Sequence, residues 1–387
     1  MDDSPETPLS QTVPPDAPWR WVLEFAERMA LLGDQRRHRL ALIAHEALAA
    51  REMDPPEALR LYTEGRAEAE RLRERWWVLF FDWLRLQVIV GEMDDYATGR
   101  EIVVWAVEEA RKPLYGRFPQ RICLQEDLLR IHLGSDPRGY AGVIDEGIAS
   151  MAHVVPELSP CRACLQTLRT RQAVALGRWG EARVGLLKSL NDDRVRHQMP
   201  PQSERHWVAQ TFSAEKSRAA ELTQLCLVAW HTQEYDDLRA WAAQGESVAR
   251  LVGQQGWLAE FQVWQALLAR RDGSEPLAQR LCANAVLEAK RSTRMPADAY
   301  FTALCTFYEQ GGDLRRACQA RVYQLHLLRG KGQTFVEVHA HLEQCRLLAR
   351  LGHSLATALP AARLAALSLI DPAPALEQLD RIARGSA

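Results

Sequence analysis

Four stretches of this chain carry residue types at spacings that could do chemistry. Cys161-Arg-Ala-Cys164 places two thiols at a helix start, after Ser159-Pro160. A helix N-terminus lowers a thiol pKa and can poise such a pair for redox exchange. The flanking sequence shows no strand–helix–strand pattern and no second CxxC to complete a zinc site. The pair therefore reads as two helix-face cysteines beside Leu165 and Leu168. His339-x-His341-x-Glu343-x-Cys345 offers four metal-ligand types. On a strand they would share a face; on a helix successive ones fan about 200° apart, with His341 and Cys345 aligned at i, i+4. Gly352-His-Ser-Leu-Ala356 approaches the Gly-x-Ser-x-Gly elbow of serine hydrolases. That elbow needs a preceding strand, whereas residues 341–351 carry a helical stripe, so Ser354 is expected as a helix N-cap. Gly330-Lys-Gly332 lacks the spacing of a phosphate-binding loop. No catalytic constellation, metal site or cofactor motif stands out, and the expectation is a non-enzyme.

The elements that would carry these residues are helices. The pattern is plainest in 171–190: an amphipathic run to Leu176, a Gly177-Arg178-Trp179 turn, then Ala182, Leu186, Leu187 and Leu190 at helical spacing. Similar hairpins recur. The first joins Trp19–Met29 to Leu40–Leu48 through Gly33-Asp34. Pro55-Pro56 opens a further helix, and the aromatic run Trp76-Trp77-Val-Leu-Phe-Phe-Asp-Trp83 another. Pairs at 119–134/137–153, 161–190, 216–250, 257–290, 297–329 and 334–369 follow, and Pro372–Ala383 reads as one short capping helix. Residues 1–17, with four prolines, are expected to be a disordered arm. Residues 191–207, with Pro200-Pro201 and no stripe, are expected to be a loop.

The repeat is measurable. Small residues in the first turn of each return helix, or their stand-ins, are His38, Gly99, Ala141, Ala182, Leu238, Ala278, Ala317 and Thr357. Their intervals are 61, 42, 41, 56, 40, 39 and 40. The two long ones are assigned to an extra helix at 56–74 and to the 191–207 stretch. A single hairpin cannot bury its own apolar faces, so such repeats must stack.

The series Phe301, Leu304, Cys305, Tyr308, Gly312-Asp313, Ala317 resembles the tetratricopeptide (TPR) motif at matching offsets. Leu222, Leu225, Cys226, Tyr235 and Trp83, Leu86, Tyr96, Gly99, Ala106 match in part. The resemblance spans most of 18–370. A period near 40 exceeds the 34 residues of that repeat and is closer to the solenoid of MalT-type bacterial regulators. The resemblance implies an all-α, right-handed α-solenoid of eight to nine hairpins over 18–371, with 372–387 as a C-terminal cap. It also implies a concave groove lined by the first helix of each pair. On this chain the groove positions are Arg20, Leu23, Glu27, Phe81, Leu84, Thr223, Leu227, Trp230, Thr302, Thr306 and Glu309. The TPR groove would bind a protein or peptide partner, as a scaffold or adaptor in a bacterial multi-protein system. The MalT likeness offers the alternative of an effector sensor acting on a separate output protein. Groups that clamp peptides through Lys and Asn are scarce, with five Lys and two Asn in all.

Composition bounds the partners. The net charge of −2 in 387 residues argues against a general nucleic-acid or membrane-surface role. No apolar run approaches the roughly 18 residues of a membrane helix. Eight cysteines in a chain this long do not form a disulfide framework, so a cytoplasmic setting is expected. Arg194, Arg196 and Arg205 in the 191–207 stretch could meet an acidic partner. A homo-oligomer remains open.

Overall fold

The structure is a computed structural model, and it describes residues 20–51, 54–115, 121–154, 161–196, 214–292 and 296–385. The expected arm at 1–17 and Arg205 lie outside these residues, as do the side chains of 161–163, 191–196 and 214–217. Among the described residues the regular structure is entirely helical, with no strand. Eighteen α-helices follow one another. In the first third these are α1 (Arg20–Leu31), α2 (Gln35–Arg51), α3 (Pro55–Arg71), α4 (Arg75–Ile89), α5 (Tyr96–Ala110) and α6 (Arg121–Ser135). Next come α7 (Ala141–Val154), α8 (Cys161–Ala175), α9 (Trp179–Arg196), α10 (Ala214–Thr232), α11 (Tyr235–Leu251) and α12 (Gln255–Arg271). The last six are α13 (Glu275–Arg291), α14 (Asp298–Gln310), α15 (Leu314–Leu328), α16 (Thr334–Arg350), α17 (Ala358–Ala366) and α18 (Ala373–Ala383). Residues 191–196 continue α9, so the expected loop does not begin at Asn191.

Turn chemistry cuts the chain into these lengths. At 312–313, Gly312 takes φ +75° and Asp313 caps α15, its carboxylate accepting from the Arg316 N–H at 3.0 Å. Asp54 and Asp95 cap α3 and α5 in the same way. Arg73 and Gln233 adopt the left-handed conformation without being glycine, at a steric cost that neighbouring packing must offset.

The chain divides into two compact units. Unit 1 holds the described residues up to Leu128, and unit 2 those from Leu129 onward. In unit 1, α1 packs on α2, α2 on α3, α3 on α4 and α4 on α5, and α2 also meets α4. Trp77, Leu79, Phe80, Phe81 and Leu84 make α4 the core of this unit. Trp76 stacks on Phe80 at 5.1 Å, so neither tryptophan of the Trp76-Trp77 pair stands free. In unit 2 the direct same-layer contacts again join even-numbered helices: α10 with α12, α12 with α14, α10 with α14, and α16 with α18. Since α10 and α14 meet across α12, that helix is enclosed on every side, and eleven of its residues are buried.

This layering revises the hairpin register. Gly65 on α3 leaves no room for a Cβ against the Phe81 ring of α4, and Gly245 on α11 does the same against Phe261 of α12. The two contacts span the same sequence distance, which makes α3 the counterpart of α11. Ala58, fully buried at the fourth position of α3, lies 41 residues before Gly99 at the fourth position of α5. The helix at 56–74 therefore meets its successor as α11 meets α12, and Ala58 falls on the spacing near 40. His38 sits on α2, a first-layer helix. Two other markers shift as well: Ala141 opens α7, and Thr357 precedes α17 as its N-cap residue.

The first and last turns of unit 2 touch. Asp136, 3 % exposed, accepts from the N–H groups of Arg138 (3.1 Å) and Gly139 (2.9 Å) through Oδ1. Its Oδ2 accepts from the N–H groups of Ile370 (2.9 Å) and Asp371 (3.0 Å) between α17 and α18. A Cβ on Gly139 would lie 2.5 Å from the Cβ of Ile370, so only glycine permits this approach.

Candidate inner-face site of unit 2

α14 and α16 each carry a polar stripe at helical spacing: Asp298, Thr302, Thr306 and Glu309 on α14, and His339, Glu343, Arg346 and Arg350 on α16. Glu309 joins the two helices. Its carboxylate accepts from Arg346 Nη2 at 2.7 Å and Nη1 at 3.1 Å, and it also pairs with Arg350. Arg346 is shared with Glu343, also at 2.7 Å. A guanidinium held by two carboxylates on fixed helices is a rigid arrangement.

Deeper in, α15 sends Arg321 toward the same face. This residue is 2 % exposed, so its charge must be met locally. Nη1 donates to Gln324 Oε1 at 2.7 Å and lies 3.5 Å from Asp298 Oδ1. Nη2 donates to Thr302 Oγ1 at 3.4 Å. Gln324 Nε2 in turn donates to Asp298 Oδ1 at 2.7 Å. His339 Nδ1 stands 3.9 Å from Asp298 Oδ2, an ion-pair distance rather than a hydrogen bond. The side chains of Asp298 and His339 remain 36 % and 43 % exposed, so water reaches them.

The charges follow from these contacts. Burial pushes the Asp298 carboxyl up, but His339, Arg321 and Gln324 together outweigh it and hold the group well below the usual carboxylate range. Burial pulls the His339 imidazolium pKa down, and the Asp298 charge more than restores it, so the net shift is upward. His231 on α10 shifts the other way, through burial and then through the nearby His339. Its ring stacks on Trp179 at 4.1 Å. Glu260 on α12 is 1 % exposed, with the Trp264 indole beside it. Burial raises its carboxyl to about 8, the Trp264 hydrogen bond offsetting part of the rise and the Asp298 charge adding to it, so it is largely protonated at neutral pH.

The expected groove residues divide. Thr302, Thr306 and Glu309 do share one stripe, and Leu227 and Trp230 are half-buried on α10, with Trp230 against Trp264 at 5.9 Å. Thr223 is 4 % exposed and bonds its own helix. Leu23, Phe81 and Leu84 are core residues and present no open surface. Arg20 pairs with Glu24 at 3.0 Å on α1, where Glu27 is half-buried. Arg194 and Arg196 sit on the end of α9, with side chains outside the described residues.

The sequence-level chemistry resolves in part. His339 and Glu343, four residues apart, share the inner stripe, an alignment the spacing argument passed over in favour of His341 and Cys345. Cys345 is instead buried in the core that α16 forms with α17 and α18. Among the described residues no cluster of three or more His, Cys, Asp or Glu is arranged to hold a metal ion. Cys164 is exposed on α8, and Cys161 lies among the side chains not described. Burial raises the thiols of Cys282 and Cys345 to about 11 and that of Cys305 to about 12, which makes them poor nucleophiles. Ser354 Oγ accepts from the Ala356 N–H at 3.2 Å inside a turn that follows a helix. It is not the N-cap of α17, a position Thr357 occupies.

Fold and site together define the class: an all-α protein of sequentially packed helices, consistent with a helical-repeat solenoid. No helix among the described residues is long and apolar enough to cross a membrane. No known protein family matches the chain, and no curated protein matches it.

Proposed function

We propose that this chain is a non-enzymatic, tetratricopeptide-like scaffold or adaptor that binds an extended segment of a protein partner along the inner face of unit 2. On this reading α2/α3 through α16/α17 are eight hairpins of right-handed repeats, flanked by α1 and α18. The observation that carries the reading is the pair of adjacent polar stripes on α14 and α16. Groups at i and i+4 on a helix rise about 6 Å, close to the ~6.8 Å two-residue repeat of an extended peptide. The stripes set a mostly acceptor-bearing α14 beside a mostly donor-bearing α16, with Glu309, Glu343, Arg346 and Arg350 already held by ion pairs. Binding would then lose little side-chain entropy. Trp230 supplies an aromatic anchor beside them.

A photo-crosslinking residue at Thr306, with one at the outward Leu287 as control, tests this in native lysate. Capture of a protein at 306 and not at 287, abolished by Arg346→Ala, supports the reading. Equal capture at both positions, or none, sinks it. The titratable trio of Asp298, His339 and His231, coupled through their charges, supports a second reading, a site for a small effector in a signalling system. That reading requires ligand-dependent thermal stabilisation that His339→Ala removes.

A further inference from the structure

The two ends of unit 2 are joined by a polar catch rather than by a helix interface. The Asp136 carboxylate collects four backbone N–H groups, two from its own turn and two from Ile370 and Asp371. The meeting is turn to turn: among the described residues α7 lies along neither α17 nor α18. It buries little apolar surface, since Ile370 stays 56 % exposed. A contact of this kind can part without breaking a core. The Asp136 side is braced, because His132 of α6 stacks on Tyr140 across the turn at 4.1 Å.

Arrays of helix pairs bend by small rotations summed over many interfaces. A contact between residues 234 positions apart therefore forms at one curvature of the array and is lost at a gentler one. The interior records the same tight curvature, because α10 and α14 meet across α12.

That meeting closes the inner side of α12 over groups that a permanent core does not need. Glu260 is 1 % exposed, and Trp264, one turn further on, is fully buried with its ring 5.9 Å from that of Trp230. Nearby on α15, Arg321 is 2 % exposed and its Nε has no hydrogen-bond partner. Polar groups shut away in this manner destabilise the closed form and are satisfied once water or a partner reaches them.

We infer that Asp136 is a latch: unit 2 exchanges between the closed form of this structure and an open form, in which the α6–α7 turn parts from the α17–α18 turn and the inner side of α12 is uncovered. A partner segment then reaches the inner face in the open form, and the latch sets how much of the protein is competent to bind. This last step rests on the inner-face reading of the proposed function; the latch itself does not.

Single-molecule energy transfer on the full chain tests the exchange. Dyes on keto side chains introduced at Asp145 of α7 and Glu377 of α18, both exposed, report the separation of the ends. Two variants release the latch by different means. Asp136→Ala removes the acceptor. Gly139→Ala keeps it but sets a Cβ 2.5 Å from both Ile370 Cβ and Asp136 Oδ2. The wild type should be mainly in a high-transfer state, and each variant should place about tenfold more molecules in a low-transfer state, with far-UV circular dichroism unchanged. Hydroxyl-radical footprinting should then oxidise Trp264 several-fold faster in both variants, while Trp77 in the core of unit 1 keeps its protection. One high-transfer state in all three proteins overturns the proposal, as do parted ends with Trp264 still protected. Faster oxidation of Trp77 as well also overturns it, since the variants would then have loosened the whole fold. Neither measurement needs a partner, so a failed capture at Thr306 bears on the proposed function, and these readouts bear on the latch.

Discussion

Glu260 is the residue whose chemistry is most exposed to test. Its carboxyl titrates at about 8 in the fold against 4.5 in the open chain. The folded form therefore holds a proton that the unfolded form releases. Stability tied to this group is complete below pH 4.5 and is lost as pH rises toward 8. For a residue 1 % exposed, the loss is on the order of a few kcal/mol. Glu260→Gln mimics the neutral acid. Urea midpoints for the wild type should fall between pH 5 and pH 8, and the variant should flatten that fall. Parallel curves would mean that Glu260 does not titrate in this range. Asp298 carries the opposite sign. Asp298→Asn removes the nearest carboxylate from buried Arg321 and should cost about 3 kcal/mol at neutral pH, read by the same titration. No loss would show that Gln324 and Thr302 suffice for the guanidinium.

At the scale of elements, the close approach of α11 to α12 rests on one missing methyl group. Gly245→Ala gains helix propensity of about 1 kcal/mol but sets a Cβ into the Phe261 ring, which has no exposed edge. Overpacking of this kind costs about 1–3 kcal/mol or more. The variant should lose stability, and Phe261→Leu added to it should recover part of the loss. If Gly245→Ala alone stabilises the chain, the helix pair is looser than the structure shows. Gly65 against Phe81 should behave alike, since the two hairpins use one solution. The tight-turn residue Gln233 offers the reverse case. With φ at +62°, Gln233→Gly relieves left-handed strain and should raise stability by roughly 1 kcal/mol, read as a higher urea midpoint.

At the scale of the whole molecule, the contact that matters most joins residues 234 and 235 positions apart, through Asp136 to the Ile370 and Asp371 amides. Asp136→Ala should release those two amides, and their hydrogen exchange should rise toward that of a free turn while exchange in α12 stays slow. Unchanged protection at 370 and 371 would mean that the ends of unit 2 stay together without this carboxylate. No local signal could announce the clasp, because loop closure over such a distance depends on the summed curvature of every hairpin between. Much else was legible locally. Many helix ends and turns followed from Gly, Pro and Asp at the caps, and the stripe Thr302, Thr306, Glu309 followed from the offsets that the tetratricopeptide resemblance implies. The errors came where the sequence has period but no direction. An apolar stripe says that a helix face is covered, not by which neighbour, so Phe81 and Leu84 read as groove and are core. A run of helices likewise has two possible pairings, and here α1 and α3 both pack on α2. Sequence by itself determined the all-α class and the succession of helices, because these rest on contacts within a few turns of chain. Only tertiary structure decided the hairpin register, the inner cluster of Glu260, Asp298, Arg321 and His339, and the meeting of unit 2's ends. Burial and long-range charge are properties of packed neighbours, which a single helix does not encode.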